Sequence, residues 1–259
     1  MGGSHSMKPI ILCRKKWLVA LGSGILGLVI LYLACCPVTL ETSATVRQLP
    51  IYCVQRDQPM ISISFDAAWG NEDTQELIDI LERYQVKATF FVVGDWVERY
   101  PESVKALHEA GHEIMNHSNT HAHYPQLSVD EIVADLQACN EKIEEITGEC
   151  PTLVRLPYGD YDDKSIHAVR SIGMEPIQWD VDSLDWKEIP ASEISQRVIN
   201  KVQCGSIVLF HNAALHTPEA LPTILETLIQ DGYTFVPISQ LLLQEEYTLD
   251  HEGRQCPVS

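Results

Sequence analysis

Charged and titratable residues interrupt apolar runs of this sequence where the runs end. Asp66 ends the run Ile-Ser-Ile-Ser-Phe, His211 ends Ile-Val-Leu-Phe, and Arg155 lies in Leu-Val-Arg-Leu. A charge in such a place costs desolvation free energy unless it is paired. Asp66 is a candidate general base that Arg155 would hold ionised, and His211 is a candidate acid. A purely structural ion pair and a core histidine are the alternatives.

His117 and His121 are four residues apart in His-Ser-Asn-Thr-His. On one helical turn, side chains at this spacing point the same way, which suits the capture of Zn²⁺. A solvated loop is the alternative, and the nearby His123 fits that description. Together with Asp66 and His211, the pair favours a divalent-metal site, with zinc expected first and cobalt or manganese as alternatives.

A further cluster follows the run Gln-Trp-Asp-Val and contains Asp182, Asp185 and Trp186. Either aspartate could set the tautomer and the pKa of His211. Trp186 could wall the pocket and stack on a sugar ring, or pack as an ordinary core residue.

These clusters need strands that bring them together. Short apolar runs, typical of strands buried on both faces, predict strands at 60–65, 88–93, 113–116, 153–156, 176–179, 207–210 and 234–236. Helical periodicity predicts helices at 74–84, 128–147 and 220–230, the second with a capping box at Ser128 and an end at Gly148. The alternation predicts a parallel α/β fold, and the pattern alone does not separate a barrel from an open sheet. In a barrel, all carboxyl ends of the strands open on one catalytic face.

The N-terminal part has a different character. Residues 17–36 carry no charge and follow Arg14, Lys15 and Lys16, which predicts a transmembrane anchor with a cytoplasmic N-terminus at 1–16. A cleaved signal peptide, a lipoprotein signal and a buried core helix are the alternatives. We expect residues 37–54 to be a tether and 246–259 to be a C-terminal tail.

Composition excludes one class of partner. The net charge is −18 over 259 residues, which disfavours nucleic-acid binding. The eight cysteines make no Cys-x-x-Cys pair, so a thiolate zinc site is not expected. Outside the cell, Cys53, Cys139, Cys150, Cys204 and Cys256 could form disulfides, but their pairing stays open. Small buried side chains are the simpler interpretation of Cys139 and Cys204.

Five motifs together resemble the polysaccharide deacetylase family, which is the NodB-homology domain of carbohydrate esterase family 4, over about residues 55–245. The matching segments are Ser64-Phe65-Asp66, His117-Ser118-Asn119-Thr120-His121, Arg155-Leu156-Pro157-Tyr158-Gly159, Asp182-Ser183-Leu184-Asp185-Trp186 and Leu209-Phe210-His211. Ile51-Tyr52, residues 65–71 and the single anchor look most like the sporulation-type, PdaB-like branch.

The resemblance implies a distorted (β/α)₇ barrel and metal-dependent removal of N-acetyl groups from amino sugars. It implies a role for each matching residue: Asp66 as base, His117 and His121 as metal ligands, Arg155 orienting Asp66, the Tyr158 backbone N–H in the oxyanion site, Asp182 supporting the acid His211, and Leu209 lining the acetyl pocket.

One position departs from the family pattern. The second aspartate, which is the third metal ligand, is Ala67 here. Asn71, Glu72 or Asp73 could replace it, or Asp66 could bind the metal itself. We therefore expect an extracytoplasmic, membrane-tethered N-deacetylase of cell-wall or spore-cortex glycan, with a weakened or inactive glycan-binding relative as the alternative. The sequence leaves open whether the glycan is peptidoglycan, spore cortex or a chitin-like oligomer.

Overall fold

The computed structural model describes Gly2 and residues 47–258. The predicted anchor at 17–36 lies outside these residues. Within the part that is described, no helix has both the length and the apolar character needed to cross a bilayer.

After a short first strand, β1 (Cys53–Val54), eight strands form a parallel sheet. They are β2 (Met60–Ala67), β3 (Thr89–Val92), β4 (Glu113–Asn116), β5 (Leu153–Val154), β6 (Glu175–Pro176), β7 (Val181–Asp182), β8 (Ile207–His211) and β9 (Thr234–Phe235). Their order is β6-β5-β4-β3-β2-β8-β7, and β9 pairs with β2. The sheet curls into a half-barrel flanked by helices, which fits the predicted distorted barrel. All seven predicted strands are present, and β7 was not predicted.

The chain before β2 lies along the open side of this curled sheet. Ile51 bridges to Ile177 beside β6, and Cys53 bridges to Ser206 at the start of β8. Val54 N donates to the carbonyl of Gly205 at 2.9 Å. A Cβ at position 205 would lie 1.7 Å from the Val54 carbonyl oxygen, so this approach requires glycine.

The C-terminal residues form strands. β10 (Tyr247–Leu249) and β11 (Arg254–Pro257) are antiparallel, and β11 pairs in parallel with β1. Residues 246–258, which we expected to be a tail, therefore carry two strands of a small sheet that also includes the end of the expected tether.

Helices connect the strands. They are α1 (Thr74–Arg83), α2 (Gly94–Arg99), α3 (Pro101–Glu109), α4 (Val129–Thr147), α5 (Asp163–Ser171), α6 (Ala191–Ile199), α7 (Thr217–Gln230) and α8 (Ile238–Leu241). The predicted capping box of α4 is present, with the side chains of Ser128 and Glu131 each accepting from the other's backbone N–H. Gly148 ends this helix at φ 74°, as predicted. α7 begins three residues before the predicted start at 220.

Side chains of β2 alternate between two environments. Ile61, Ile63 and Phe65 belong to the apolar core shared with the helices. Ser62 and Ser64 point to the other face, where their hydroxyls donate to the carbonyls of Val236 and Val208. Since strand side chains alternate with period two, Asp66 falls on the serine face. This alternation aims its carboxylate into the curled sheet.

Candidate active site

Asp66 and His211 are register partners on the neighbouring strands β2 and β8. Parallel neighbours lie about 4.8 Å apart, so these two side chains start side by side at the carboxyl edge of the sheet. The sequence-based expectation that the polar strand ends meet at one place is therefore met for this pair.

A pocket of about 460 Å³ opens at this edge. Its volume is within the range of small-molecule sites, which is about 300–1,000 Å³. Eight of the predicted site residues line it: Asp66, His117, His121, Tyr158, Asp182, Trp186, Leu209 and His211. The remaining one, Arg155, does not line the pocket and is fully buried. Trp69, Gly159 and Trp179 also line the pocket and were not predicted.

Arg155 makes the ion pair expected for Asp66. Its Nη1 donates to Asp66 Oδ1 at 2.8 Å, and Nη2 donates to the Gln178 carbonyl at 3.1 Å. The guanidinium carbon also lies 4.2 Å from the ring centre of Phe91. Burial alone would raise the pKa of Asp66, but the charge and hydrogen bond of Arg155, together with the charge of His211, outweigh burial and lower the pKa. Asp66 is therefore ionised and held in one orientation.

His117 presents an unprotonated nitrogen to Asp66. Its Nδ1 lies 2.7 Å from the Arg155 carbonyl, which can only accept, so Nδ1 carries the proton. Burial lowers the pKa of His117 despite the neighbouring Asp66 charge, and the ring is neutral. Its Nε2 then faces Asp66 Oδ2 at 3.5 Å. His117 Nε2 and Asp66 Oδ2 are both hydrogen-bond acceptors, so neither satisfies the other. A cation or a hydrogen-bond donor bound between them would satisfy both.

The His117–His121 segment is a loop and not the helical turn that we predicted. Ser118 and His121 have positive φ values of 72° and 55°, so a helical hydrogen-bond ladder cannot form there. Side chains replace it: Asn116 Oδ1 accepts from Ser118 N at 2.6 Å, and Ser118 Oγ accepts from His121 N at 2.8 Å. The imidazoles of His117 and His121 still meet, with ring centres 5.0 Å apart. Burial and then the neighbouring His117 lower the pKa of His121 to about 4.

The donor set does not make a complete metal site. Across residues 47–258, no group of three or more His, Cys, Asp or Glu side chains is placed to hold a metal ion. Ala67 is fully buried in the apolar core and does not line the pocket. A catalytic zinc ion normally has three protein ligands, so the residues present do not fit such a site.

The residues that we considered as replacements for Ala67 are engaged elsewhere or lie outside the pocket. Asp73 Oδ2 accepts from Ala213 N at 2.8 Å, and Asn71 Nδ2 donates to Ser103 Oγ at 3.0 Å. Glu72 does not line the pocket. None of the three therefore supplies a third ligand beside His117 and His121.

Asp185, not Asp182, supports His211, which corrects the role that we expected for Asp182. The Asp185 carboxylate lies 2.7 Å from His211 Nδ1 and accepts from His211 N at 2.8 Å. Asp182 instead accepts a hydrogen bond from Leu184 N at 2.8 Å. Its register partner on β8 is Leu209, which precedes His211 by two residues. The chain turns at Leu184, where φ is 58°, and this turn brings Asp185 back to the imidazole.

The environment of His211 favours its protonated form. Burial alone would lower the pKa of His211, but the hydrogen bond and charge of Asp185, followed by the charges of Asp66 and Asp182, raise it. Since Nδ1 is taken by Asp185, Nε2 is the nitrogen available to the pocket. The pocket therefore joins a carboxylate with a lowered pKa and an imidazole with a raised pKa on adjacent strands, which is the pairing that general acid–base catalysis needs.

Tyr158 occupies a strained turn at the pocket wall. It has φ 62°, which is costly for a non-glycine residue and recurs at functional sites. Its ring stacks on His123 with centres 4.0 Å apart, and it meets the edge of His121 at 4.4 Å. His123 also lies 3.2 Å from Asp160, so it is less free than a solvated loop residue.

The described cysteines form no disulfide with one another. Cys53, Cys139, Cys150, Cys204 and Cys256 carry free thiols. Cys139 is buried, as we expected, whereas Cys204 is only partly buried.

Comparison with known proteins places these features in a family. The polysaccharide deacetylase family model matches residues 54–177. YlxY of Bacillus subtilis, which is uncharacterised, is 33% identical over 193 residues, covering 74% of this chain and 60% of YlxY. The peptidoglycan-N-acetylmuramic acid deacetylase PdaC of Bacillus subtilis is 35% identical over 188 residues, covering 73% of this chain and 40% of PdaC. The chain thus spans about half the length of these curated relatives.

A solved structure is also similar. BA3943 of Bacillus anthracis, described as a CE4 family pseudoenzyme, has 36% identity and a TM-score of 0.72, covering 74% of this chain and 68% of that chain. A mutant of BA3943 is described as having restored enzymatic activity, at 37% identity and the same TM-score.

Proposed function

Because this chain belongs to the polysaccharide deacetylase family, we propose that it hydrolyses N-acetyl groups from amino sugars of cell-wall glycan. The observation that carries this proposal is the side-by-side placement of Asp66 and His211 on neighbouring strands in one pocket. The names of two relatives support the choice of substrate: PdaC is a peptidoglycan-N-acetylmuramic acid deacetylase, and PgdA of Listeria monocytogenes is a peptidoglycan-N-acetylglucosamine deacetylase.

The residues divide the reaction between them. Asp66, held ionised by Arg155, takes a proton from the attacking water, whose oxygen bonds to the acetamide carbonyl carbon. The C–N bond then breaks, and protonated His211 delivers its proton to the departing amine. Acetate and a free amino sugar leave. Leu209 offers an apolar wall to the acetyl methyl group, and the Tyr158 N–H is the proposed oxyanion donor, worth about 3–4 kcal/mol when well placed.

A second candidate function is glycan binding with weakened or absent catalysis. Polysaccharide deacetylases depend on metal in general. Here the family's third ligand is replaced by the buried Ala67, and no three-ligand group is formed among residues 47–258. The similarity to a CE4 family pseudoenzyme also favours this candidate.

We further propose that residues 17–36 anchor the chain in the cell membrane, with the N-terminus cytoplasmic and the pocket outside the cell. The lysine and arginine residues directly before this apolar segment support that orientation. Protease added to intact cells should remove the C-terminal part and spare the N-terminus; protection of both ends would contradict the proposal.

The two candidate functions differ in their products. Incubation of the full chain with an N-acetylglucosamine oligomer and with purified peptidoglycan, followed by mass spectrometry, should show loss of acetyl groups from at least one glycan. Binding of both glycans without deacetylated product would favour the second candidate. Neither binding nor product would contradict both.

A further inference from the structure

Trp69 stands at the mouth of the pocket. It lies in the loop after β2, and its ring centre is 6.0 Å from that of His121 and 6.1 Å from that of His211. The side chain lines the pocket and is 55% exposed. The indole therefore neighbours both imidazoles while keeping a large apolar surface open to solvent.

The backbone on both sides of this indole is fixed by buried groups. Ala68 N donates to Asn212 Oδ1 at 3.2 Å, and the Asn212 amide donates in turn to the Gly70 carbonyl. The same carbonyl accepts from Trp96 Nε1 at 2.9 Å. The loop is thus tied to the segment after β8 and to α2. A platform that is already ordered costs little conformational entropy when a ligand binds.

Exposed aromatic side chains of the described chain concentrate at this pocket. The exposed large apolar residues in that part are Trp69, Tyr158, Trp186, Leu215, Ile229 and Val258. All three aromatic members of this set line the pocket. A large exposed apolar surface around a concave polar site marks a binding site, and flat aromatic faces match the apolar faces of sugar rings.

We infer that Trp69 is a positioning residue that stacks on a sugar ring of the glycan and places its acetamido group between Asp66 and His211. This inference rests on the proposed function, since it takes a glycan as the ligand. Trp69 acts together with Trp186 and Tyr158, which supply the other aromatic surfaces at the pocket.

The test uses the full chain and chitotetraose, with binding measured by calorimetry. Trp69→Ala should weaken binding roughly threefold to tenfold, which is the range expected for loss of one aromatic stacking partner. Trp69→Phe should restore most of the affinity, because a flat apolar face remains. Ile229→Ala, which removes an exposed apolar side chain on α7 outside the pocket, should bind like the wild type. The melting temperature of Trp69→Ala should stay unchanged, because the indole is more than half exposed.

Each outcome separates the inference from the function on which it rests. If the wild type binds and Trp69→Ala binds equally well while Trp186→Ala is weakened, the inference about Trp69 is wrong and the proposed function stands. If Trp69→Ala and Trp69→Phe both lose binding and both melt earlier, Trp69 has a structural role and the inference is again wrong. If the wild type neither binds chitotetraose or peptidoglycan nor releases acetate, the proposed function fails as well.

Discussion

Replacing Arg155 by methionine should destabilise the protein, because the Asp66 carboxylate would stay buried without its partner. Asp66 is 5% exposed, and its Oδ1 depends on the 2.8 Å hydrogen bond from Arg155. The other oxygen, Oδ2, faces the unprotonated Nε2 of His117 at 3.5 Å and gains no hydrogen bond there. Methionine keeps an apolar stem against Phe91 while removing the charge.

The expected cost is about 3–5 kcal/mol in the free energy of unfolding, as for other buried pairs that lose one partner. For a domain of about 200 residues this is a fall of roughly 6–20 °C in melting temperature. Calorimetry or thermal circular dichroism at neutral pH measures it directly.

The pH dependence gives the sharper signature. In the wild type the pKa of Asp66 lies below its ordinary value, so its stabilising effect is present above about pH 3.9 and is lost as the pH falls through the lowered pKa. In Arg155→Met burial dominates, and the pKa of Asp66 should lie above its ordinary value. The deficit of the variant is then largest at neutral pH and shrinks as the pH falls toward the raised pKa.

The matched control is Asp66→Asn combined with Arg155→Met, which removes both charges. This double variant should be more stable than Arg155→Met alone and should lack its pH dependence. A double variant as unstable as the single one, or a single variant that loses less than about 1 kcal/mol, the value of an exposed pair, would refute the reasoning.

Three further predictions concern the same pocket. Asp185→Asn should lower the pKa of His211, because only more distant carboxylates then oppose the effect of burial. In the wild type, protonated His211 stabilises the fold below about pH 6.5, and this stabilisation is lost as the pH rises through its raised pKa; the variant should lose most of it. An unchanged NMR titration of His211 would contradict this prediction. Ala67→Asp should cost several kcal/mol without metal, because Ala67 is fully buried, and added zinc should raise its melting temperature more than that of the wild type; equal shifts would mean that this carboxylate does not reach the histidines. Acetate release by the wild type should change little when zinc or a chelator is added, because no three-ligand group forms among residues 47–258, and a loss of activity with the chelator would contradict this.

The strand ends were predictable because a lone charged residue in an apolar strand has few explanations. Asp66, Arg155 and His211 each end or interrupt such a run, and the parallel register brings Asp66 and His211 side by side. The family motifs added the expected barrel, and the curled parallel sheet fits it.

The parts that the sequence did not predict depend on backbone conformations without a local signal. The choice between Asp182 and Asp185 depends on the left-handed turn at Leu184. The His117–His121 segment departs from a helix because side chains of Asn116 and Ser118 replace backbone hydrogen bonds.

The sequence also did not predict the exposure of Trp69 or the pairing of β1 with β11. The exposure of Trp69 follows from how its loop is tied to Asn212, which is 143 residues away in the chain. The pairing of β1 with β11 joins the two ends of the described segment 47–258, and a pattern of alternating strands and helices carries no signal for it.

The most direct measurement of the central claim is acetate release from purified peptidoglycan by the wild type and by Asp66→Asn at equal concentration. The wild type should release acetate, and the variant should release none while its circular dichroism spectrum stays that of the folded wild type. Equal release by the two proteins would contradict the assignment of Asp66 as the general base of the reaction.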